Sequence, residues 1–194
     1  MTCAAYERAE ETAMDLPTLA DSLELPEGFR AEIINGSIIV SPTPTYRHAK
    51  IVRMVERALD RSRCEGLLAL QMATVELSAT GERYVPDLVV MPEALVDGEG
   101  WEGPDWIRPA EEAEFAVEVV SPGSALHDWQ AKARGYAKAG VPLYLVVDPR
   151  RSEIALFSEP KGEEYQEVAR AVRGGTVRLP EPFGIEIEAS SLLT

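Results

Sequence analysis

The first clear pattern along the chain is a pair of β-branched runs that meet at a turn. Residues 29–34 (FRAEII) and 37–40 (SIIV) flank Asn35-Gly36, the strongest short signal for a two-residue β-hairpin turn. Residues 67–78 (LLALQMATVELS) then alternate between apolar and polar positions, as a half-buried strand does. The pattern predicts an N-terminal β-hairpin followed by a separate strand.

Helical spacing occurs in two other segments. Residues 46–63 carry Ile51, Met54, Val55 and Leu59 at helical spacing, with Arg47, Lys50, Arg53 and Arg57 as a basic side. Further along, Ser124 has the residue type of an N-cap and Gly140 that of a helix stop, which predicts a helix near residues 125–139. The basic side fits a solvated helix face, the commoner meaning of such a pattern, or a surface that follows a phosphate backbone.

The remaining signals predict an α/β fold. Residues 83–91 (RYVPDLVVM), 114–120 (EFAVEVV) and 143–148 (LYLVVD) are largely apolar runs typical of buried strands. Four later strand-like segments predict a C-terminal β-meander: EIALFS, EEYQEVARAV, TVRLP and GIEIEA. We therefore expect a central mixed β-sheet flanked by helices in a single domain over residues 26–194, preceded by an N-terminal arm or short helix over residues 1–25.

Residues 92–112 form a Gly-, Pro- and acid-rich segment that is too long for a simple connection. Trp101 and Trp106 lie in it and could stack bases, form a dimer contact or pin the segment to its own domain. Because its acids would repel DNA, we expect a lid or an interface here rather than a DNA-reading surface.

Composition narrows the classes of function. The 194 residues are enough for one domain with a sizeable core, and the formal net charge is −14. This charge argues against a protein that coats nucleic acid through bulk charge, although it leaves room for a locally basic cleft.

The two cysteines, Cys3 and Cys64, have no metal-ligand spacing and are too few for a disulfide framework. We expect free thiols in a reducing cytoplasm. The N-terminal residues lack the basic start and apolar stretch of a signal peptide, and no run approaches the roughly 18 apolar residues of a membrane span. We therefore expect no membrane partner.

Two of the apolar runs contain an acid where Val or Leu would pack better: Asp87 and Glu118. An ionised acid on such a strand face costs several kcal/mol unless it is paired, and two neighbouring acids repel by about 4 kcal/mol at roughly 4 Å. A divalent cation would remove both costs, and Mg²⁺ accepts one or two carboxylates while it keeps several waters. Alternatively, each acid lies at a strand end and caps a turn or pairs with an arginine.

Asp128, Lys132 and Tyr136 recur at intervals of four in the second predicted helix and therefore share a face. If Lys132 reaches back to the strand ends, its ammonium would stabilise charge that develops on a phosphate during hydrolysis. Spacing alone favours the simpler alternative, a surface ion pair between Asp128 and Lys132.

Taken together, the motifs resemble the restriction endonuclease family often called Uma, within the PD-(D/E)XK nuclease superfamily. The resemblance runs from about residue 28 to the end of the chain. It rests, in order, on AEIINGSIIVSPTPTYRHAKIV, VPDLVV, VEVVSPGS, HDWQAKARGYAKAGVPLYLVVDP and the C-terminal meander. It implies a restriction-endonuclease-like fold and a homodimeric, metal-dependent endonuclease that cleaves DNA.

The resemblance also implies roles for individual residues. Asp87 matches the Asp of the PD element and Glu118 the second acid, and the Val119 carbonyl would join them in holding Mg²⁺ or Mn²⁺. Glu32 matches an acid of the first hairpin that faces the site. His48 matches a histidine beside the first helix, which would contact phosphate, act as an acid or serve as a hydrogen-bonded structural residue.

The superfamily pattern has a lysine two residues after the second acid, where this chain has Val120. The resemblance implies that Lys132 takes that role, orienting or helping to deprotonate the attacking water. His127 matches nothing in the pattern, and we expect it on the surface. The displaced lysine and the negative charge keep two alternatives open: a nuclease-fold module that binds DNA or a protein partner without cutting, and a hydrolase for another phosphodiester.

Overall fold

The architecture comes from a computed structural model that describes residues 15–62, 64–96, 103–104 and 106–193. The helices are α1 (Leu16–Asp21), α2 (Tyr46–Leu59), α3 (Glu93–Val96), α4 (Ala133–Lys138) and α5 (Ala189–Leu192). The strands are β1 (Phe29–Ile34), β2 (Ser37–Pro42), β3 (Leu67–Leu70), β4 (Thr74–Leu77), β5 (Glu82–Tyr84), β6 (Leu88–Pro92), β7 (Ile107–Pro109), β8 (Phe115–Val119), β9 (Leu143–Asp148), β10 (Glu153–Lys161), β11 (Glu164–Val172), β12 (Thr176–Arg178) and β13 (Glu186–Glu188). A 3₁₀ turn covers Ala110–Glu112, and a π-helical segment, His127–Lys132, runs directly into α4.

Six strands form the central sheet, in the order β11-β10-β9-β8-β6-β3. The β8–β9 pair is parallel and the other neighbouring pairs are antiparallel, so the sheet is mixed, as predicted. The last pair of the β6–β8 register is Leu88 with Val117, and Asp87 and Glu118 are the next residues of the chain at that end. The N–H of Val119, the neighbour of Glu118, donates a hydrogen bond to Oδ2 of Asp87 (2.8 Å), so both acids lie at the same end of this strand pair.

The predicted N-terminal hairpin is present and belongs to a second sheet, in the order β2-β1-β5-β4-β7. Asn35 and Gly36 have φ angles of 48° and 67°, as a two-residue turn of type I′ requires. The pairing of Ile33 with Arg83 joins β1 to β5, which leads towards the first acid. The second sheet thereby brings Glu32, on β1, to the same region.

The four predicted C-terminal strands are also present, in two groups. β10 and β11 form a long antiparallel pair that extends the edge of the central sheet, whereas β12 and β13 form a separate two-stranded ribbon. The meander therefore continues the central sheet through its first two strands.

Apolar side chains pack on both faces of the central sheet. On one face, residues of α2 and α5 pack against Leu88 and Val117; on the other, Val89 and Ala116 pack with a group of tyrosines. Three aromatic residues, Tyr84, Phe115 and Tyr144, are each fully buried. By strand alternation the Val89 and Ala116 face is also the one that carries the two acids, so the polar site borders a tightly packed core.

Gly135 of α4 leaves no room for a side chain. A Cβ atom there would lie 2.2 Å from the hydroxyl of Tyr84 and 2.7 Å from its Cε2 atom. The buried Tyr84 hydroxyl donates a hydrogen bond to Oε2 of Glu82 (2.8 Å), so the ring cannot move without losing that bond. We expect Gly135→Ala to lower the free energy of unfolding in urea by about 1–3 kcal/mol. Gly123→Ala, where a Cβ would meet nothing within 4 Å, is the matched control, and equal losses would contradict this account.

Several sequence predictions fall outside the described residues. They concern Cys3, Trp101, residues 1–14 of the predicted arm and residues 97–102 of the acidic segment. The described part of the acidic segment contains α3, β7 and the 3₁₀ turn, and Trp106 lies beside Arg83, whose guanidinium carbon is 5.5 Å from the ring centroid. Among the described helices, none combines the length and apolarity that crossing a membrane requires.

Candidate active site

Asp87 lies immediately before β6, and three neighbours hold its carboxylate. Oδ2 accepts a hydrogen bond from the Val119 N–H (2.8 Å) and lies 2.9 Å from Nε2 of His48, at ion-pair distance but without hydrogen-bond alignment. Oδ1 lies 3.4 Å from Nη2 of Arg30. Burial by itself would raise the pKa of Asp87, but His48, the Val119 N–H and Arg30 outweigh burial and lower that pKa. Asp87 is therefore ionised at neutral pH.

Glu118, on β8, contacts a lysine. Nζ of Lys132 donates a hydrogen bond to Oε1 of Glu118 (2.7 Å) and lies 2.7 Å from Oε1 of Glu32, so two acids share one ammonium. The Tyr136 hydroxyl also donates to Oε1 of Glu118, at 3.5 Å. Glu118, Lys132 and Glu32 are only 2%, 2% and 4% exposed, so water screens these ion pairs little.

The simpler alternative for the second helix, a surface pair between Asp128 and Lys132, is wrong. Asp128 is 1% exposed, its Oδ1 lies 3.9 Å from Nζ of Lys132, and its Oδ2 accepts a hydrogen bond from the Ser124 hydroxyl at 2.5 Å. The reason is that the π-helical segment packs against β1, so that its charged face points towards the strand ends and away from solvent. Isolated π-helical turns often occur at functional sites.

The first turn of α2 supplies the histidine. Thr45 caps this helix by accepting a hydrogen bond from the His48 N–H (3.3 Å), which fixes where the imidazole can point. Arg30, the other basic residue at Asp87, is absent from the sequence prediction. It lies two residues before Glu32 on β1, and strand alternation, which puts both on one face, is the signal that identifies it.

These groups surround one cavity of about 680 Å³, a size typical of ligand sites. Its wall contains most of the predicted site: Glu32, His48, Glu118, Val119 and Lys132. Asp87 contacts two of these residues, His48 and Val119. His127, predicted on the surface, is half-buried and also lines the cavity.

Comparison with known proteins gives the family. Residues 18–192 match the family described as "Uma2: Putative restriction endonuclease". The chain belongs to the Uma2 family. A solved structure described as "a putative nuclease belonging to DUF820", from Anabaena variabilis ATCC 29413, is similar over 92% of this chain and 97% of that chain, with a TM-score of 0.68 and 18% sequence identity. No curated protein matches. The predicted family and the predicted fold are both confirmed.

The Uma2 chain departs from the PD-(D/E)XK pattern at Val120, and the structure shows what occupies that position. Val120 is 4% exposed and packs in the same apolar cluster as Ala116. An ammonium reaches Glu118 from the helix instead, through Lys132. The geometry thus places a lysine beside the second acid even though the strand does not carry it.

The Uma2 site contains an acid cluster, which consists of Glu32, Asp87, Glu118 and Asp128. Two permanent cations, Lys132 and Arg30, face these four carboxylates. Burial raises the pKa of Glu118 well above its ordinary value; Lys132 opposes that rise, and the three other acids add to it. Burial also raises the pKa of Asp128, to about 6. Full ionisation of the cluster is therefore unfavourable unless another cation joins it.

The donor atoms of the cluster fit a hard divalent cation. The Asp87 and Glu118 carboxylates and the Val119 carbonyl are the kind of oxygen ligands that Mg²⁺ prefers, and a divalent ion would balance the excess negative charge. No three His, Cys, Asp or Glu side chains in the described part of the chain already form a metal cage. Lys132 instead lies between Glu118 and Glu32. The site therefore suits a divalent cation in the type of its ligand atoms and in its charge, although the described side chains do not form a metal-binding cage.

We expect Asp128→Asn to stabilise the protein more at pH 8 than at pH 5. In the folded chain the pKa of Asp128 is about 6, above the ordinary 3.8, so the folded state holds its proton more tightly than the unfolded chain. Stability therefore falls as pH rises from about 4 to 6 and stays at the lower value above that window.

Because asparagine cannot ionise, the benefit of Asp128→Asn should grow by roughly 1–2 kcal/mol between pH 5 and pH 8. Urea unfolding at both pH values measures it. Asp21→Asn, at an acid that pairs with Arg83 (2.8 Å) and is 44% exposed, is the control and should show little pH dependence. A pH-independent effect of Asp128→Asn would contradict the assignment.

Proposed function

We propose that this Uma2-family protein is a divalent-metal-dependent endonuclease that hydrolyses phosphodiester bonds in DNA. The main support is that the β6–β8 pair carries Asp87 and Glu118 at one end, where Glu118, Lys132 and His48 line one cavity and Asp87 contacts His48. A family described as restriction endonucleases indicates nucleic acid as the substrate class. The proposal includes a cytoplasmic location and a homodimer, since two-fold symmetry suits cleavage of two antiparallel strands.

In this proposal, the carboxylates of Asp87 and Glu118 and the carbonyl of Val119 hold Mg²⁺ or Mn²⁺. Asp87 is ready as a ligand because its lowered pKa keeps it ionised. The Val119 N–H fixes the Asp87 carboxylate against β8, close to the carbonyl of the same residue. A bound divalent ion supplies Lewis-acid chemistry, since it makes water more acidic and neutralises charge on a phosphate.

Lys132 acts as a fixed positive charge. Burial alone would lower the pKa of Lys132, but Glu118, Glu32 and Asp128 raise it further than burial lowers it. The side chain therefore remains an ammonium at neutral pH and cannot take a proton from water. It serves to orient the attacking water and to stabilise the negative charge that builds up on the phosphate.

Glu32 and His48 complete the proposed site. Oε1 of Glu32 accepts a hydrogen bond from the Val85 N–H (2.8 Å) and contacts Nζ of Lys132, so Glu32 positions the lysine. His48 lines the cavity while it touches Asp87, and its side chain is 13% exposed. It is placed to donate a hydrogen bond or a proton to a phosphate oxygen.

One observation favours a second candidate, a nuclease-fold module that binds DNA or a protein partner without cutting. Both central acids already have basic residues as partners: Lys132 at Glu118, and Arg30 with His48 at Asp87. A site whose acids already have basic partners within the protein is compatible with a chain that keeps the nuclease fold but has no catalytic activity.

Supercoiled plasmid distinguishes the two candidates. We expect the protein to convert it to nicked circles in Mn²⁺ or Mg²⁺ and to leave it intact in EDTA. Binding of the plasmid without nicking in any metal would favour the second candidate. Nicking that persists in EDTA would exclude a metal-dependent mechanism.

A further inference from the structure

Outside the acid cluster, two arginines stack on a single tryptophan. The guanidinium carbons of Arg151 and Arg170 lie 5.4 Å and 5.1 Å from the ring centroid of Trp129, both within the range of cation–π contacts. Arg151 follows β9, Arg170 belongs to β11, and Trp129 belongs to the π-helical segment. Three distant parts of the chain thus build one group, which we name the arginine–tryptophan stack.

Asp148, a buried acid that the proposed reaction does not use, holds the stack in place. It is 2% exposed, and its Oδ2 accepts a hydrogen bond from Nε1 of Trp129 (3.0 Å). Its Oδ1 accepts hydrogen bonds from the N–H groups of Arg150 and Arg151, both at 3.0 Å. The turn after β9 and the indole are therefore fixed to each other, so little side-chain freedom remains to be lost when a ligand binds.

The stack still presents its charge to solvent. The side chains of Arg151 and Arg170 are 61% and 50% exposed. Arg170 pairs with Glu153 at 2.7 Å, and Arg151 lies 3.6 Å from Asp148. Each guanidinium has five N–H donors, and exposed ion pairs of this kind contribute only about 0–1 kcal/mol, so donors remain for an anion.

Residues next to the arginine–tryptophan stack in the sequence line the active-site cavity. Pro149 lines the cavity and is followed directly by Arg150 and Arg151. In the π-helical segment, His127 and Asp128 also line the cavity, and Trp129 is the next residue. On a chain with a net charge of −14, Arg151 and Arg170 are thus exposed cationic side chains close in sequence and in space to residues of this cavity, each with one acid as its partner.

We propose that the arginine–tryptophan stack binds backbone phosphates of a nucleic acid whose neighbouring phosphodiester enters the cavity. The inference rests on the proposed function. It names a surface, separate from the acid cluster, that would bind the part of the substrate that does not react. Planar guanidinium groups recognise phosphate through paired N–H donors. The contact is independent of sequence, because it is made to the backbone.

The test is fluorescence anisotropy with a labelled DNA duplex of about two helical turns, in EDTA so that no metal-dependent cleavage occurs. We expect the double variant Arg151→Gln/Arg170→Gln to bind about tenfold more weakly at moderate salt, equally for two unrelated sequences. The slope of log affinity against log salt should become shallower by roughly 1.8, since two phosphate contacts are lost. Thermal unfolding within a few degrees of the parent shows that the fold is retained.

Lys161→Gln is the control for a general loss of charge, because it removes one positive charge from the same hairpin, against two in the double variant. Lys161 pairs with Glu164 at the far end of β10, six residues and about 20 Å from Ala155, the partner of Arg170. We expect it to change affinity less than twofold. Equal losses in the control and the double variant, unchanged affinity in the double variant, or no measurable binding by the parent would each overturn the proposal.

The experiments can reject the endonuclease activity or the phosphate contact without rejecting the other. A parent that binds duplex through the stack but never nicks plasmid in Mg²⁺ or Mn²⁺ would overturn the endonuclease and leave the phosphate contact standing. A parent that nicks plasmid, beside a double variant that nicks and binds equally well, would overturn the contact and leave the endonuclease standing.

Discussion

Replacing Lys132 with methionine is expected to lower the free energy of unfolding at pH 8 by about 3–5 kcal/mol, the usual cost of breaking a buried ion pair by removing one partner. Lys132 is the ammonium that Glu118 and Glu32 share, and it lies 3.9 Å from Asp128. Methionine fills a similar volume without charge, so the variant buries three carboxylates without the ammonium that pairs with them. Plasmid nicking should be lost as well.

The destabilisation by Lys132→Met should be smaller at pH 5 than at pH 8. Lys132 has a raised pKa, so its own charge is present throughout this window and does not account for the difference. The difference comes from the acids: burial raises the pKa values of Glu118 and Asp128, and protonation near pH 5 neutralises part of the uncompensated charge. Urea unfolding at the two pH values measures both effects.

Lys138→Met is the control for this prediction. Lys138 lies in α4, its side chain is 38% exposed, and it pairs with Glu163 at 2.8 Å. An exposed pair contributes about 0–1 kcal/mol, so this variant should remain close to the parent. Equal losses at Lys132 and Lys138, or a loss at Lys132 that does not change with pH, would show that the buried charges do not dominate the energetics of the site.

Asp87→Asn is expected to reduce metal-dependent nicking by on the order of 10²–10³-fold, the range seen when one group that stabilises transition-state charge is removed. The amide keeps the shape of the side chain and an oxygen that can accept from the Val119 N–H. It loses the negative charge, which is the property that a divalent cation requires. Calorimetric Mn²⁺ binding should disappear together with the nicking.

Asp21→Asn is the control here too, because Asp21 also pairs with an arginine, Arg83, but does not contact His48 or Val119, the two cavity-lining residues that Asp87 touches. It should bind Mn²⁺ and nick plasmid like the parent. Retained Mn²⁺ binding in both Asp87→Asn and Glu118→Gln would remove the two acids from the metal site and would require other ligands.

The parts of the fold that depend on local signals could be predicted from the sequence. Asn35 and Gly36 specify their turn through positive φ, which few other residue pairs adopt readily, so the hairpin and its register follow. Asp87 and Glu118 stand out because ionisable residues in apolar strands need a physical reason. Their adjacency, however, is a property of the pairing between β6 and β8, which periodicity within each strand cannot give.

The part of the site that sequence reasoning missed depends on how distant elements pack. Four-residue spacing places Asp128 and Lys132 on one face of a helix but does not say whether that face meets water or the sheet. Arg30 is one basic residue among 19 Lys and Arg, and strand alternation puts it on the face of Glu32 without showing that this face meets Asp87. The π-helical winding of His127–Lys132 likewise has no signal in the order of residue types.

Glu32, on β1, links the two sheets. It accepts a hydrogen bond from the N–H of Val85, where the chain passes from one sheet to the other, and it pairs with Nζ of Lys132. The same side chains therefore stabilise the fold and form part of the candidate active site. Removing either the glutamate or the lysine alone would therefore destabilise the fold whether or not the site is catalytic. The presence of these two residues in a sequence therefore indicates the fold, and catalytic activity has to be demonstrated by a separate measurement.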